Sequence, residues 1–363
     1  MVLSILTNSE AEAPTRLRHA DQRIIKVGER HMSNKTFRAS RRTILGATVV
    51  FAALGLTTTA SAADAWPSKP IRYVVPFGAG GLADSVARLI AQPLGDWLGQ
   101  PVVVENRAGV SGVVGTQMVA KSPGDGYTLV GGTITTHAVI PYFNKSIGYD
   151  VVKDFKPVHM LGTVTNVLVV NVDSPYKTFP DLLNALRAKP DELTFGTAGP
   201  GTSQHLAGEL LQSLTNTRMR QIPYKGGTQA MTDLIGGQID MIFETSTVAK
   251  TLIDSQRVRA LGSTGPDPVE GLPDVLPLAQ QGIEGFDVRS WQGVFAPAGT
   301  PDDVVKKLAD GIDAVLKMPE IRARMATLGI VPSNMGPAEF AQYQAQEIER
   351  WGKVISSAGI EAQ

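Results

Sequence analysis

Beyond residue 66, short runs of β-branched and aromatic residues alternate with stretches whose apolar positions recur at helical spacing, the pattern of α/β layers with largely parallel strands. Ile71-Arg72-Tyr73-Val74-Val75 predicts a strand that runs into Pro76-Phe77-Gly78-Ala79-Gly80-Gly81, and Val86, Leu89, Ile90, Leu94 and Trp97 then fall on one face of a helix. Val102-Val103-Val104 predicts a strand, residues 109–121 a helix and residues 127–130 a strand after the turn Pro123-Gly124-Asp125-Gly126. A buried strand is expected over 166–172, followed by a helix over 179–188, a strand over 193–195, a glycine-rich loop and a helix over 206–214. Strands over 220–224, 239–243 and 258–261 and a helix over 228–235 continue the pattern. A Pro/Gly-rich connection spans 265–285, Val294-Phe295-Ala296 opens the last part, and helices are expected over 301–317 and 337–356. No short repeat is present, but both halves use one device: a strand, a glycine-rich turn and a helix N-terminus.

That device directs attention to two loops, because ligands of open α/β sheets sit beyond the carboxyl ends of strands, where helix N-termini present free N–H groups and positive partial charge. The first is residues 77–84, where Asp84 can accept from backbone N–H groups near the helix start and precedes Arg88 by one helical turn. The second is Gly196-Thr197-Ala198-Gly199-Pro200-Gly201-Thr202-Ser203-Gln204-His205, whose glycines, hydroxyls and amide offer neutral donors suited to an anion held without a cation. From the residues alone each loop is either a tight turn or an anion site, Thr202 or Ser203 either an N-cap or a contact, and His205 either a contact or a first-turn residue. Together they suggest a cleft in which two helix ends face one carboxylate.

Composition narrows the classes. The 363 residues are 43% hydrophobic and 19% charged, enough apolar content to bury a core and sufficient length for two domains. The net charge is zero, yet residues 1–64 hold nine Lys/Arg against five Asp/Glu, which leaves 25 basic and 29 acidic residues beyond. A mildly acidic body carries no electrostatic footprint for nucleic acid. The absence of cysteine excludes disulfides, thiolate metal sites, a cysteine nucleophile and a lipid-anchored cysteine.

The basic excess belongs to a predicted address over residues 1–65. Arg41-Arg42 precedes an apolar run over 44–56, then Ala60-Ser61-Ala62 and Ala63-Asp64-Ala65, the order of a cleaved secretory signal, with cleavage expected after Ala62 or Ala65. The run is shorter than the ~20 residues a spanning helix needs. Ser40-Arg41-Arg42-Thr43-Ile44-Leu45 resembles the twin-arginine export motif, a Sec signal with two arginines is the alternative, and Met32 is a second candidate start. Export places the body in the periplasm.

Several enzymatic readings fail on spacing. The cluster at 78–81 lacks the ending of a phosphate loop and the spacing of a dinucleotide site. The 201–205 segment is not Gly-x-Ser-x-Gly, so a hydrolase using Ser203 with His205 rests only on their proximity. His205 and Glu209 share a helix face as metal ligands can, but His137 and His159 stand in unrelated contexts, and neither a metal nor a cofactor is expected. Trp291 and Phe243 are read as core residues ahead of cleft walls.

An ordered set of segments resembles the Bug family, the extracytoplasmic solute receptors of tripartite tricarboxylate transporters. The matching residues are Trp66-Pro67-x-Lys69-Pro70-Ile71, Val75-Pro76-Phe77-x-x-Gly80-Gly81-x-x-Asp84, Val102-Val103-Val104-Glu105-Asn106-Arg107-x-Gly109, Asp125-Gly126-Tyr127-Thr128-Leu129 and Asp154-Phe155-x-Pro157-Val158. They continue with Gly199-x-Gly201-x-x-x-His205-Leu206, Pro223-Tyr224-Lys225-Gly226, Leu272-Pro273-Asp274-Val275, Gly285-Phe286, Trp291-x-Gly293 and Ala296-Pro297-x-Gly299-Thr300-Pro301. The resemblance implies a type II periplasmic-binding-protein fold: two α/β lobes, 66–166 with 289–363 and 167–288, closing on a ligand cleft. It implies a receptor without catalysis, a monomer that takes a small organic acid or amino acid and serves integral-membrane permease subunits; a ligand-sensing subunit of a membrane signalling system is the alternative. It nominates Phe77, Ala79, Gly81 and Asp84 in one lobe and Thr197, Gly199, Thr202, Ser203 and His205 in the other as ligand contacts, with Thr133, Thr135, Tyr224 and Glu244 at neighbouring strand ends. Gly78-Ala79 stands where the family commonly has prolines, Glu284 replaces the proline usual before Gly-Phe, and Leu276-Pro277 replaces Pro-Thr.

Overall fold

A computed structural model describes residues 66–357 apart from Lys225. The predicted signal, the arginine pair and Met32 lie outside the described residues. Strand β1 (Ile71–Val75) is flanked in parallel by β2 (Val102–Asn106) and β3 (Thr128–Thr133), with crossovers through α1 (Leu82–Leu98) and α2 (Val113–Ala120). β4 (Phe155–Asn171) follows, then α3 (Phe179–Ala188), β5 (Thr194–Thr197), α4 (Ser203–Thr215), β6 (Arg220–Pro223), α5 (Gly227–Ile235) and β7 (Met241–Thr245). The chain continues through α6 (Ser246–Asp254), β8 (Val258–Ser263), β9 (Arg289–Pro297), α7 (Asp302–Leu316), α8 (Pro319–Thr327), β10 (Ile330–Pro332) and α9 (Pro337–Ser357).

Two sheets share β4. Its first part, up to Thr165, pairs antiparallel with β9 and β10, giving the order β2-β1-β3-β9-β4-β10. From Asn166 onward it pairs antiparallel with β7 and β8, giving β8-β4-β7-β5-β6, in which β5 runs parallel to β6 and β7. The return from β8 to β9 is tied to β4 at one buried residue. Thr264 N donates to Asn166 O at 2.9 Å, Thr264 Oγ1 donates to Val288 O at 2.6 Å, and Val288 N donates to Thr264 O at 2.8 Å.

Helix stripes cover the sheet faces. On α7, Val304, Val305, Leu308, Ala309, Ile312, Val315 and Leu316 recur at helical spacing and are buried, and they join Val86, Ile90 and Leu94 of α1 over β1, β3 and β9. A second cluster runs along the opposite face across both sheets, from Val74, Trp291 and Phe295 through Leu168 and Phe243 to Leu206 and Leu211 of α4, closed by Phe340 and Trp351 of α9. A third lies under α5 and α6, around Val167, Val169, Met231 and Ile242. α3 starts at a capping box, in which Thr178 Oγ1 accepts from Asp181 N while the Asp181 carboxylate accepts from Thr178 N. Among the described residues no helix is long and apolar enough to cross a membrane.

Three differences from the sequence reading have physical causes. The helix expected over 109–121 begins as a single tight turn, Val110–Gly112, with Ser111 and Gly112 at positive φ, and becomes α-helical only at Val113. A Cβ at Gly112 would stand 2.6 Å from the Thr136 methyl and 3.1 Å from the Phe77 ring, so packing imposes that bend. β4 begins eleven residues before the predicted strand, because Pro157 and the register shifts at Pro157/His159 and Met160/Gly162 break its alternation. The segments α6, α8 and β10 were not anticipated. α8 buries only Ile321 and Met325, and β10 exists by pairing with residues 162–164, so neither carries a local period.

Candidate functional site

The loop after β1 is organised by Asp84, which is 4% exposed. Its Oδ2 accepts from Gly80 N at 2.9 Å, and its Oδ1 accepts from Asn106 Nδ2 at 2.9 Å and from Arg88 Nε at 3.0 Å. Asn106 also donates to Phe77 O at 3.2 Å and accepts from Arg88 Nη2 at 3.0 Å. Burial would raise the Asp84 pKa, but the Arg88 hydrogen bond, the bonds from Gly80 and Asn106 and the Arg88 charge outweigh it and hold the carboxyl below its ordinary value. Arg88 is thus turned back into the loop. Ala79 and Gly81, exposed at its rim, present backbone at the start of the 17-residue α1.

The loop after β5 is organised from both ends. Thr197 Oγ1, fully buried, accepts from Gly199 N at 3.2 Å and from Gln221 Nε2 at 2.8 Å. Thr202 is the N-cap of α4: its hydroxyl donates to Gly199 O at 2.8 Å and accepts from His205 N at 3.4 Å. His205 Nδ1 accepts from Gly201 N at 3.2 Å, which places the proton of its neutral form on Nε2, 3.4 Å from Glu209 Oε1. Ser203 Oγ accepts from Asn166 Nδ2 at 3.1 Å, so its own proton is free to donate outward. Ser203 and His205 therefore serve different partners and do not form a nucleophile–base pair.

The residues after β3 hold the loop after β5, and the Thr136 methyl and the Phe77 ring both lie against Gly112. Thr135 opens a π-helical turn, Thr135–Val139, and its hydroxyl donates to Gly201 O at 3.0 Å. Phe143 stacks obliquely on His205 with centroids 5.2 Å apart. Thr133 N donates to Thr136 Oγ1 at 3.0 Å, which fixes the start of that turn. Gly201 has φ +73°, and a Cβ there would lie 3.2 Å from the Phe143 ring. Gly201→Ala should therefore cost about 1–2 kcal/mol of stability and disturb the Thr135 bond, read as a lower urea midpoint together with weaker ligand binding.

The structure thus brings Phe77, Ala79, Gly81 and Asp84 to one helix start and Thr197, Gly199, Thr202, Ser203 and His205 to another, and ties the second to the turn after β3 through Thr135. Glu244 reaches the second loop through Gln204, whose Nε2 donates to Glu244 Oε2 at 3.4 Å. Tyr224 stands apart in its hydrogen bonding: its hydroxyl donates to Asp233 Oδ2 at 2.8 Å, and burial, that bond and the Asp233 charge push its pKa up to about 12. Asn106, Asn166 and Gln204 were not singled out from the sequence as site residues. Gln204 stood inside the glycine-rich loop, but nothing local marked the two asparagines, which act across 22 and 37 residues on Asp84 and Ser203. A groove of about 690 Å³ lined by Arg88, Gln92, Gly95 and Gln100 lies beside α1 and β2 and includes neither loop.

Two α/β sheets joined by a shared strand and a return segment, with glycine-rich helix starts after β1 and β5, have the architecture of a periplasmic-binding-protein fold. The structural match agrees: Rhodopseudomonas palustris Rpa4515 with adipate superposes with a TM-score of 0.76 at 34% identity, covering 82% of this chain and all of that one. MatC from the same organism, with bound malate, gives 0.72 at 31% identity over 80% of this chain and 99% of that one. A family model, the tripartite tricarboxylate transporter family receptor, matches residues 86–360. BugT of Bordetella pertussis is 36% identical over 312 residues, 86% of this chain and 95% of BugT. The UPF0065 protein in the tcbD-tcbE intergenic region of Pseudomonas sp. (strain P51) is 40% identical over 307 residues, 84% of this chain and 91% of that protein. The chain belongs to the tripartite tricarboxylate transporter receptor family, the family of the Bug proteins, and is a solute-binding receptor.

Proposed function

We propose that this receptor captures a small carboxylated metabolite in the periplasm and delivers it, unaltered, to membrane permease subunits of a tripartite transporter. The observation that carries the reading is the pair of glycine-rich helix starts, in the loops after β1 and β5, the second tied to the turn after β3 by Thr135 and Gly201. Each helix end contributes ~0.3–1 kcal/mol to holding an anion at exposed sites and up to ~2 when partly buried, so affinity requires several convergent donors and exclusion of water. Ser203 supplies its hydroxyl, oriented by Asn166; the backbone of Ala79, Gly81 and Gly199 supplies close approach; Phe77, Thr133, Thr135, Thr197 and Thr202 complete the wall, while Asp84 and His205 hold the loops that meet the ligand.

The lobes are 66–166 with 289–363 and 167–288, and closure bends β4 at Thr165–Asn166 and the return strand at Thr264. The ligand-bound states of relatives support the same ligand class: one is described with adipate, another with malate. The side-chain partners of Ser203 and His205 support binding without turnover. Export depends on the Arg41-Arg42 segment and cleavage after Ala62 or Ala65, and the mature receptor acts as a monomer.

Thermal-shift screening of the mature chain against mono-, di- and tricarboxylates tests the reading. At a free ligand concentration of 100 Kd a ligand adds about 2.7 kcal/mol, enough to raise the midpoint by several degrees. A panel of organic acids without any shift overturns it.

A further inference from the structure

The segment that returns from the 167–288 lobe makes its crossing in three residues, each held by a different part of the molecule. Phe286 is buried and stacks on Phe243 of β7 with centroids 6.3 Å apart. Val288 N donates to Thr264 O at 2.8 Å, beside the point where β4 changes sheets. Between them, the main-chain carbonyl of Asp287 accepts from Nη2 of Arg350, a side chain that comes from α9. The Asp287 carboxylate is taken by Arg289, whose Nε donates to Oδ1 at 2.9 Å and whose Nη2 donates to Oδ2 at 2.8 Å.

The helix that sends Arg350 is anchored in the other lobe. Gln344 Nε2 donates to His137 O at 2.8 Å and to Val151 O at 2.9 Å, and the Tyr142 hydroxyl donates to Ile348 O at 3.1 Å. Arg350 itself is aimed by its own helix. Glu347, one turn back and 6% exposed, accepts from Arg350 Nη1 at 3.5 Å through one oxygen and from Trp351 Nε1 at 3.1 Å through the other, and the guanidinium stands 5.0 Å from the Trp351 ring centroid. A long, partly exposed side chain gives up rotamer freedom to be held in this way, and the bond it makes at the crossing is of the charge-assisted kind. In the same conformation the lobes also touch on two other sides. Thr135 Oγ1 donates to Gly201 O at 3.0 Å, and the turn at Gly329 lies against the start of α6, where a Cβ on Gly329 would stand 2.8 Å from Ser246 Oγ.

We propose that Arg350 is a positioning residue for closure: its bond to the Asp287 carbonyl fixes the return segment at the angle that brings the lobes together, so that α9 acts on the ligand cleft through the hinge without touching it. The inference rests on the reading of two lobes that close, and it names the side chain that sets their balance. A turn of the 167–288 lobe about Thr264 carries Asp287 along with Phe286, whereas Arg350 stays with α9, so opening lengthens this bond. A contact made in one of two states biases the equilibrium toward that state by what the contact is worth.

The chain has no cysteine of its own, so spin labels at Asp96→Cys and Arg187→Cys, one exposed site on each lobe, report the distance between the lobes of the mature chain, alone and with succinate, malate, adipate or citrate. Arg350→Met keeps the stem beside Trp351 and removes the donor. It is expected to lower the ratio of the compact population to the extended one by about threefold to tenfold with no acid present, and Arg350→Lys is expected to restore most of it. A distance distribution that one of the acids moves and Arg350→Met leaves unchanged overturns the inference and leaves the two-lobe reading standing. A distribution that neither the acids nor the substitution moves overturns both. A lower urea midpoint for Arg350→Met with unchanged distances is the result of a merely structural role and also overturns the inference; Arg350→Gln is read in the same way should the Met variant fail to fold.

Discussion

Asp84→Ala should weaken ligand binding by more than about tenfold and lower stability by about 2 kcal/mol, the largest functional loss expected from one substitution in the loop after β1. The carboxylate collects Gly80 N, Asn106 Nδ2 and Arg88 Nε, and removing it takes an acceptor from the half-buried Asn106 amide and from the Gly80 N–H that sets the turn. Arg88, whose side chain is 53% exposed, can turn to water, so the stability loss stays well below that for breaking a fully buried ion pair. The affinity loss has another origin, since the Gly80 bond fixes the turn that presents Ala79 and Gly81. Asp84→Asn retains shape but loses the charge that holds Arg88, and should fall between the two. Because the folded carboxyl titrates below its ordinary value, its contribution is complete at neutral pH and disappears only as the pH falls through that lowered folded pKa. Urea unfolding and calorimetric titration of the two variants measure both effects; an Asp84→Ala protein that binds like the unmodified chain would show that this network does not shape the site.

Trp291→Ala should have the largest effect on stability, about 3–5 kcal/mol, with the affinity of the protein that remains folded nearly unchanged. Trp291 is fully buried on β9, its ring edge-on to Phe340 at 5.6 Å and tilted against Phe295 at 6.3 Å, between the first sheet and α9. Leaving that volume empty removes both the transfer free energy and the contacts of three neighbouring rings, Phe340, Phe295 and Tyr343. The measurement is a denaturant midpoint paired with a titration at low temperature. A selective loss of binding at unchanged stability would make Trp291 a wall of the cleft instead of part of the core.

That second outcome was a live alternative from the sequence, and the comparison shows where local pattern stops. Trp291 and Phe243 were read as core ahead of cleft walls, and both are fully buried. The 71–75 strand and the 179–188 helix coincide with β1 and α3 because their signals are local: a β-branched run before glycine, and a capping box ahead of an amphipathic stripe. The two glycine-rich turns were legible for the same reason, and the structure places both at helix starts. Asn166 was legible only as the first residue of a strand. Its role comes from standing where β4 changes sheets and where Ser203, 37 residues on, comes within 3.1 Å.

The amino-acid sequence by itself determined the α/β class, the two turn-and-helix devices and the family likeness, since each depends on spacing within a few consecutive residues or on an ordered set of such spacings. Tertiary structure decided the rest. Only the folded chain shows that one strand serves two sheets, that Thr135 bridges to Gly201, that Arg88 is spent on Asp84, and that Gln204 donates to Glu244. Hydrogen bonds and burial depend on distances through space, and the chain brings together residues whose separation in sequence carries no period to read.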